Sequence, residues 1–317
     1  MRVAVTGAGG FIGSHLVRYL KDRGYWVRGI DVKHPEYSPS VADEFEVLDL
    51  RRFDCCLQAV RSIDHVYALA ADMGGMGFIS ANHGTILRNN ALIDLHTFEA
   101  ARVNGVQRYL YTSSACIYPE HLQLTTDVAG LKESDAFPAA PQDAYGWEKI
   151  LGELINRYCG EEFGIETRTV RFHNIYGPEG TYQGGREKSP AALCRKVALA
   201  SDGDSIEVWG DGEQTRSFCY IDDCVEGLHR LMHSGYSQPI NLGTDHMVTI
   251  NELAETIISI SGKSDISIEH VDGPLGVRGR NSDNERLRKA LAWEPGVSLR
   301  EGLVQTYGWI EKQVRYA

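Results

Sequence analysis

The chain has 317 residues, 43% of them hydrophobic and 24% charged, which suits a globular protein with a full core and excludes a disordered or fibrous one. A formal net charge of −11 and a pI near 5.5 argue against nucleic acid as a general partner, because phosphate-backbone binding needs a basic surface. No stretch reaches membrane-spanning length and no apolar leader precedes the first strand, while seven cysteines without paired zinc-type spacing suggest reduced thiols. The expectation is a cytoplasmic protein with no membrane partner.

In chain order, Arg2-Val-Ala-Val-Thr6 reads as a short strand, followed by a glycine turn and a helix that runs to Arg23 and stops at Gly24. Gly7, Gly10 and Gly13 recur at every third residue, where small residues let the backbone approach a pyrophosphate at a helix N-terminus. A second strand, residues 25–31, ends in Asp31. A carboxylate there accepts hydrogen bonds from an adenosine ribose and repels the extra phosphate of NADP, which favours NAD; the plainer alternative is a residue that opens a turn. Residues 46–50 offer another strand-end carboxylate, Asp49. Residues 65–71 read as a buried strand that opens into the loop Asp72-Met-Gly-Gly-Met-Gly77, either one wall of a ligand site or a simple connection. A helix through Asn89 and Asn90 to Val103 follows. The alternation predicts an α/β fold, a doubly wound parallel sheet of Rossmann type with a smaller mixed α/β lobe.

The aromatic run Arg108-Tyr-Leu-Tyr-Thr112 suits a buried parallel strand, and Ser113-Ser114-Ala115-Cys116 follows it abruptly. Ligands in such sheets lie beyond the carboxyl ends of strands, which makes this a candidate site; a Ser-rich turn with a core Cys is the alternative. On an extended chain Ser114 and Cys116 would share one side. Between residues 141 and 158, Asp143 can cap a helix whose apolar face is Trp147, Ile150, Leu151, Leu154, Ile155 and Tyr158. Tyr145 and Lys149 fall on the opposite face. Either they are solvated, or they point at a cofactor and the apolar face meets a second subunit. An ammonium near a phenol stabilises the phenolate, which is what a Tyr base needs.

After a strand at 166–173 comes Asn174-Ile-Tyr-Gly-Pro178, and near residue 175 the regular βα pattern changes. This divides the chain into residues 1–175, a nucleotide-binding domain, and 176–317, mainly a substrate lobe from which some chain returns to the first domain. Basic groups stand on three separated segments of this second half. Lys188 leads into a helix with Arg195 and Lys196, Arg216 follows a turn at 209–215, and Arg278 and Arg280 sit in 276–283; together they suit a diphosphate. Thr249-Ile-Asn-Glu252 is a capping box with a structural role.

The glycine triplet, Asp31, Ser114, Tyr145-x-x-x-Lys149 and Asn174-Ile-Tyr-Gly-Pro178, in that order, resemble the extended short-chain dehydrogenase/reductases that act on nucleotide sugars, over nearly the whole chain. Within that family, residues 71–78, 113–119, 184–188, 214–217 and 277–283 are similar to motifs of the GDP-mannose 3,5-epimerases. The resemblance implies NAD held by Gly7, Gly10, Phe11, Ile12, Gly13, Asp31, Asp49, Leu50, Ala70 and Asn89, with Tyr145 and Lys149. It implies GDP-mannose and GDP-hexose products among Gly74, Ser114, Ala115, Cys116, Asn174, Glu187, Lys188, Ser189, Lys196, Gln214, Thr215, Arg216 and Arg280. Tyr145 would act as base at the carbon 4 hydroxyl, with Lys149 lowering its pKa and Ser114 sharing the hydrogen bond. Cys116 and Lys188 would exchange protons at carbons 5 and 3, and no metal is implied. A homodimer is expected from the apolar face of the Tyr145 helix. The alternatives are another NAD-dependent nucleotide-sugar 4-epimerase or 4,6-dehydratase and, in a different class, a non-catalytic binder of NAD or a nucleotide sugar.

Overall fold

The computed structural model describes residues 1–316. In the first half the chain runs β1 (Arg2–Thr6), α1 (Phe11–Asp22), β2 (Trp26–Asp31), β3 (Glu44–Val47), α2 (Phe53–Ala59), β4 (His65–Ala68), α3 (Met76–Ala81), α4 (His83–Val103), β5 (Arg108–Ser114), α5 (Ala144–Leu154), α6 (Gly160–Phe163) and β6 (Glu166–Phe172). The second half begins with β7 (Ile175–Tyr176), α7 (Ser189–Leu199), β8 (Ser205–Trp209), β9 (Thr215–Ser217), β10 (Cys219–Tyr220), α8 (Ile221–His233) and β11 (Ile240–Leu242). It continues through β12 (Met247–Thr249), α9 (Ile250–Ser261), β13 (Ser267–Val271), β14 (Gly279–Arg280), α10 (Glu285–Leu291) and α11 (Leu299–Tyr316).

Seven strands form one parallel sheet in the order β11-β6-β5-β4-β1-β2-β3, the doubly wound arrangement read from the βα alternation. Alternate side chains of each strand enter different cores. Val3 and Val5 pack with Leu16, Val17 and Leu20 of α1 and with α8, whereas Ala4, Ile30 and Tyr109 pack with α2 and α4 on the other face. Burial on both faces is why these strands are almost continuously apolar. The order reverses between β1 and β4, so the loops leaving these two strands open a crevice. A Cβ on Gly7 would lie 3.0 Å from the backbone nitrogen of Ala70, which shows how closely the two loops approach.

Several boundaries differ from the sequence expectation. β3 ends at Val47, leaving Asp49 in the loop beyond it, and α3 begins at Met76, inside the stretch read as a loop to Gly77. α5 does not stop near residue 158; a π-helical stretch at Ile155–Cys159 carries it into α6, which ends on left-handed Gly164. After Ser114 the chain is not extended but turns into a 3-10 helix, Ala115–Ile117, because the Ser114 hydroxyl accepts the Cys116 N–H at 3.1 Å. Ser114 and Cys116 are therefore neighbours on a turn rather than residues on one side of a strand. The expected capping box is present, Thr249 accepting from Glu252 N and Glu252 from Thr249 N.

α5 lies with its polar stripe inward. Tyr145, Glu148 and Lys149 are buried, while Trp147, Leu151 and Tyr158 are 50%, 43% and 55% exposed. A second buried charge locks the helix to the sheet. Arg171 of β6 donates to both oxygens of Glu153, at 2.9 and 2.7 Å, and also to Glu133 O and the Tyr118 hydroxyl. Glu153→Ala leaves that guanidinium buried and uncompensated, with an expected loss of about 3–5 kcal/mol in urea unfolding. The double variant Arg171→Met/Glu153→Leu is expected to lose clearly less.

Candidate active site

The crevice is built first from an uncapped helix end. α1 begins after Gly10 with no side-chain cap and no acidic residue in its first turn, so its free N–H groups remain available to an anion. Gly7 takes φ +70°, and a Cβ on Gly13 would strike the Gly7 carbonyl, so the strand can turn directly into the helix only with glycine at both positions. At the end of β2, Asp31 Oδ2 accepts the Gly9 N–H at 2.9 Å and Oδ1 accepts Lys33 N–H at 3.2 Å. Burial raises the Asp31 pKa, and these backbone donors oppose the shift.

Three strands away from β2, Tyr145 and Lys149 stand one turn apart against β5. The Lys149 ammonium is 5.8 Å from the Tyr145 ring centre, donates to the Tyr111 hydroxyl at 3.1 Å, and lies 3.3 Å from Glu148 Oε1 and 4.0 Å from Asp94 Oδ2. Burial opposes its charge, but these carboxylates outweigh burial and hold its pKa above the ordinary value. Tyr145 departs from expectation. Burial raises its pKa by more than Lys149 and the nearby Ser114 hydroxyl lower it, with Cys116 and Glu148 adding to the rise.

The third cluster surrounds Cys116. Arg280 Nη1 donates to its sulfur at 3.3 Å, while Arg280 Nε donates to Gln123 Oε1 at 2.6 Å and is aimed by it. Lys188, the N-cap of α7, is exposed to solvent. Desolvation by the surrounding protein nonetheless lowers its pKa, with Arg280 adding to the shift and the Cys116 and Cys224 thiols opposing it. Arg216 donates only to the backbone carbonyls of Thr215, Leu275 and Val277. Burial, helped by Arg280, pulls it down to about 9. Arg280 thus contacts the thiol directly, and neither Arg216 nor Arg280 has a carboxylate partner among the described residues.

The remaining substrate candidates divide. Asn174 takes φ +44° and donates to Ser217 O at 2.8 Å, tying β7 to the β9 segment. Gln214 donates to Trp209 O, while its own carbonyl oxygen is buried without a partner. Thr215 donates to Thr126 O, Gly74 is buried against Phe78, and Ala115 opens the turn that carries Cys116. Glu187 accepts from Gly185 N, Ser189 starts α7, and Lys196 is turned to Glu207 O at 2.7 Å and its carboxylate at 3.5 Å. Arg278 is paired with Asp211 through two hydrogen bonds at the surface, away from the unpaired cations. A larger cavity of about 650 Å³ lies between the α5–α6 helix and the loop after α8, but its arginines are all paired with glutamates.

A sequence model described as NAD dependent epimerase/dehydratase family matches residues 3–243. The chain belongs to this family. It is 53% identical over 316 residues to GDP-mannose 3,5-epimerase 1 of Oryza sativa subsp. indica, covering 99% of this chain and 82% of that protein. It is 52% identical to GDP-mannose 3,5-epimerase of Arabidopsis thaliana, covering 99% and 83%. Among solved structures, the UDP-glucose 4-epimerase of Thermotoga maritima with UDP-glucose superposes with a TM-score of 0.87 at 25% identity, over 99% of this chain and 100% of that one.

The cofactor of this epimerase/dehydratase family is NAD, and the crevice fits it. The open α1 N-terminus suits a pyrophosphate, and Asp31 at the end of β2 suits a ribose. Phe11 and Ile12 begin α1, Leu50 is buried just past β3, and Ala70 hangs from the Thr6 hydroxyl by its N–H at 3.0 Å. Asp49 and Asn89 are less free than the sequence suggests: Arg51 pairs with Asp49 at 2.6 Å, and Asn89 donates to Asp72 at 3.0 Å.

Sequence reasoning missed the groups behind Lys149. Asp94, Tyr111 and Glu148 carry no motif, but Tyr145, Glu148, Lys149 and Gly152 follow helical spacing, and the small Gly152 was the available signal. A Cβ on Gly152 would sit 2.0 Å from the Tyr111 hydroxyl, the group that Lys149 contacts. Gly152→Ala is expected to displace Tyr111 and Lys149 and to lower kcat by about a hundredfold in steady-state assays.

Proposed function

We propose that this chain is a GDP-mannose 3,5-epimerase that forms GDP-L-galactose, with GDP-L-gulose as the 5-epimer. The observation that carries the reading is a thiol, Cys116, that takes a guanidinium N–H from Arg280 at 3.3 Å and packs in the same cluster as Tyr145, the residue one turn from Lys149. The relatives named GDP-mannose 3,5-epimerase support the same substrate.

Bound NAD supplies a reversible hydride acceptor. Gly7, Gly10 and Gly13 admit its pyrophosphate, Asp31 holds its ribose, and Phe11, Ile12, Asp49, Leu50, Ala70 and Asn89 surround it. The side chains manage the protons. Tyr145, beside Ser114 and one turn from Lys149, takes the proton of the carbon 4 hydroxyl and later returns it. A ketone at carbon 4 acidifies the hydrogens on both adjacent carbons. Inversion then needs a proton removed from one face and another delivered to the opposite face. Cys116 is the base and Lys188 the acid. The Arg280 N–H aimed at the Cys116 sulfur makes a hydrogen bond that strengthens as the sulfur takes negative charge, and the lowered Lys188 pKa makes its proton easier to give.

Residues 1–175 form the cofactor domain, and the chain from 176, apart from α8 and β11, forms the substrate lobe. Arg216 and Arg280, lacking carboxylate partners, take the negative charge of the substrate, with Lys196 further out. Gly74, Ala115, Asn174, Glu187, Ser189, Gln214 and Thr215 complete the walls. With GDP-mannose in deuterated water, deuterium is expected at carbons 3 and 5, read by NMR. Cys116→Ala and Lys188→Met are each expected to lose at least about a hundredfold in exchange. Lack of exchange by the wild type overturns the reading, and unimpaired turnover of Cys116→Ala points instead to a 4-epimerase or dehydratase.

Two copies pair through the exposed face of α5, where Trp147, Leu151 and Tyr158 leave apolar area uncovered beside Leu95 of α4. Light scattering is expected to give a dimer for the wild type and a monomer for Leu151→Asp.

A further inference from the structure

Behind Lys149 two acids are buried where one would balance its charge. Glu148 is fully buried and Asp94 is 6% exposed, and their carboxyl groups both flank the Lys149 nitrogen, at 3.3 and 4.0 Å. Asp94 Oδ2 already accepts the Tyr111 hydroxyl at 2.8 Å. Glu148 Oε2 accepts from Asn90 at 3.1 Å, whereas Oε1 lies 3.3 Å from the Lys149 nitrogen and receives no hydrogen bond from any described residue. Two buried carboxylates flanking one ammonium repel each other, and a buried oxygen without a donor costs desolvation. One proton removes both penalties.

We propose that Glu148 is a positioning residue that stays protonated in the working enzyme, its O–H donated to Asp94, so that Lys149 faces one negative charge instead of two. The proton comes from solvent and is held, not consumed. The inference rests on Tyr145 and Lys149 being the apparatus at carbon 4.

The surroundings agree. Burial, followed by Asp94, holds the Glu148 carboxyl well above the usual range, with Lys149 and Asn90 opposing. The charged and titratable groups that face it are Asp94 from α4, Tyr111 from β5, and Tyr145 and Lys149 from its own helix. Asp72, from the β4 loop, is turned aside: its N–H donates to Asn90 at 2.6 Å, and its carboxylate accepts from Asn89 and Arg186. An ionised Glu148 would push the Tyr145 phenol further from ionisation. A neutral one leaves the field of Lys149 available to Tyr145.

The test compares NAD-loaded wild type with Glu148→Gln by infrared difference spectroscopy at pH 7, together with the pH dependence of kcat/KM. A carboxylic-acid carbonyl band is expected in the wild type and not in the variant, and the acidic limb is expected to keep its position, because Gln reproduces the protonated side chain. Absence of an acid band at pH 7, or an acidic limb displaced downward by about one pH unit or more as removal of a full charge would cause, overturns the proposal. The infrared band needs no substrate. It therefore reads the proton even if the proposed reaction fails, and the wild-type spectrum decides the matter should the variant not fold.

Discussion

The ammonium of Lys149 lies where water does not reach, and the elements around the site are placed to make that tolerable. α4 brings Asp94, β5 brings Tyr111, and α5 brings Glu148 and the lysine itself. Because a buried charge must be met by partners of opposite sign or strong dipoles, these three elements can pack in only one register. Gly152 is small because Tyr111 occupies the space its side chain would need. The same packing sets Tyr145 among Met73, Ile79, Ile86 and Cys116.

A second electrostatic arrangement, less enclosed, meets at Cys116. Arg280 contacts the sulfur, Arg216 has only carbonyl partners, and Lys188 stands at the start of α7. These groups come from β14, β9 and the loop before α7, all in the second half of the chain, whereas Cys116 follows β5. Nothing in the described residues neutralises the two arginines, which is the condition of a surface shaped for an anionic ligand. The loop at 72–75 joins the same rim: Arg186 donates to Asp72 and Met73 O, and Gly75 N–H donates to Arg186 O. The two carbon-inverting groups of the proposed mechanism thus depend on the two halves of the chain meeting.

Much of the fold was legible because parallel strands buried on both faces leave continuous apolar runs, as in residues 2–6 and 65–68, and because glycine and Asp31 mark the strand ends. α5 left two readings open in the sequence, and the inward placement of Tyr145 and Lys149 is the one the structure shows. Its sequence carries two stripes at helical spacing, one through Trp147, Leu151 and Tyr158, the other through Tyr145, Glu148, Lys149 and Gly152. Hydrophobicity favours burying the first, yet the second is buried. The reason is that Lys149 finds Asp94 and Tyr111, which lie 55 and 38 residues earlier and form no local pattern with it. The same holds for Arg280 and Cys116, 164 residues apart.

Local chemistry, read from the sequence alone, determined the doubly wound sheet and the open N-terminus of the first helix, because strand burial, helix starts and turn glycines depend on nearest neighbours. Tertiary structure alone decided which stripe of α5 faces inward, that a hydroxyl cap turns the chain between Ser114 and Cys116, and that Arg280 rather than Arg278 is left without a carboxylate. Charge pairing at a few ångströms, between residues far apart in the chain, sets all three, and spacing along a sequence does not encode that distance.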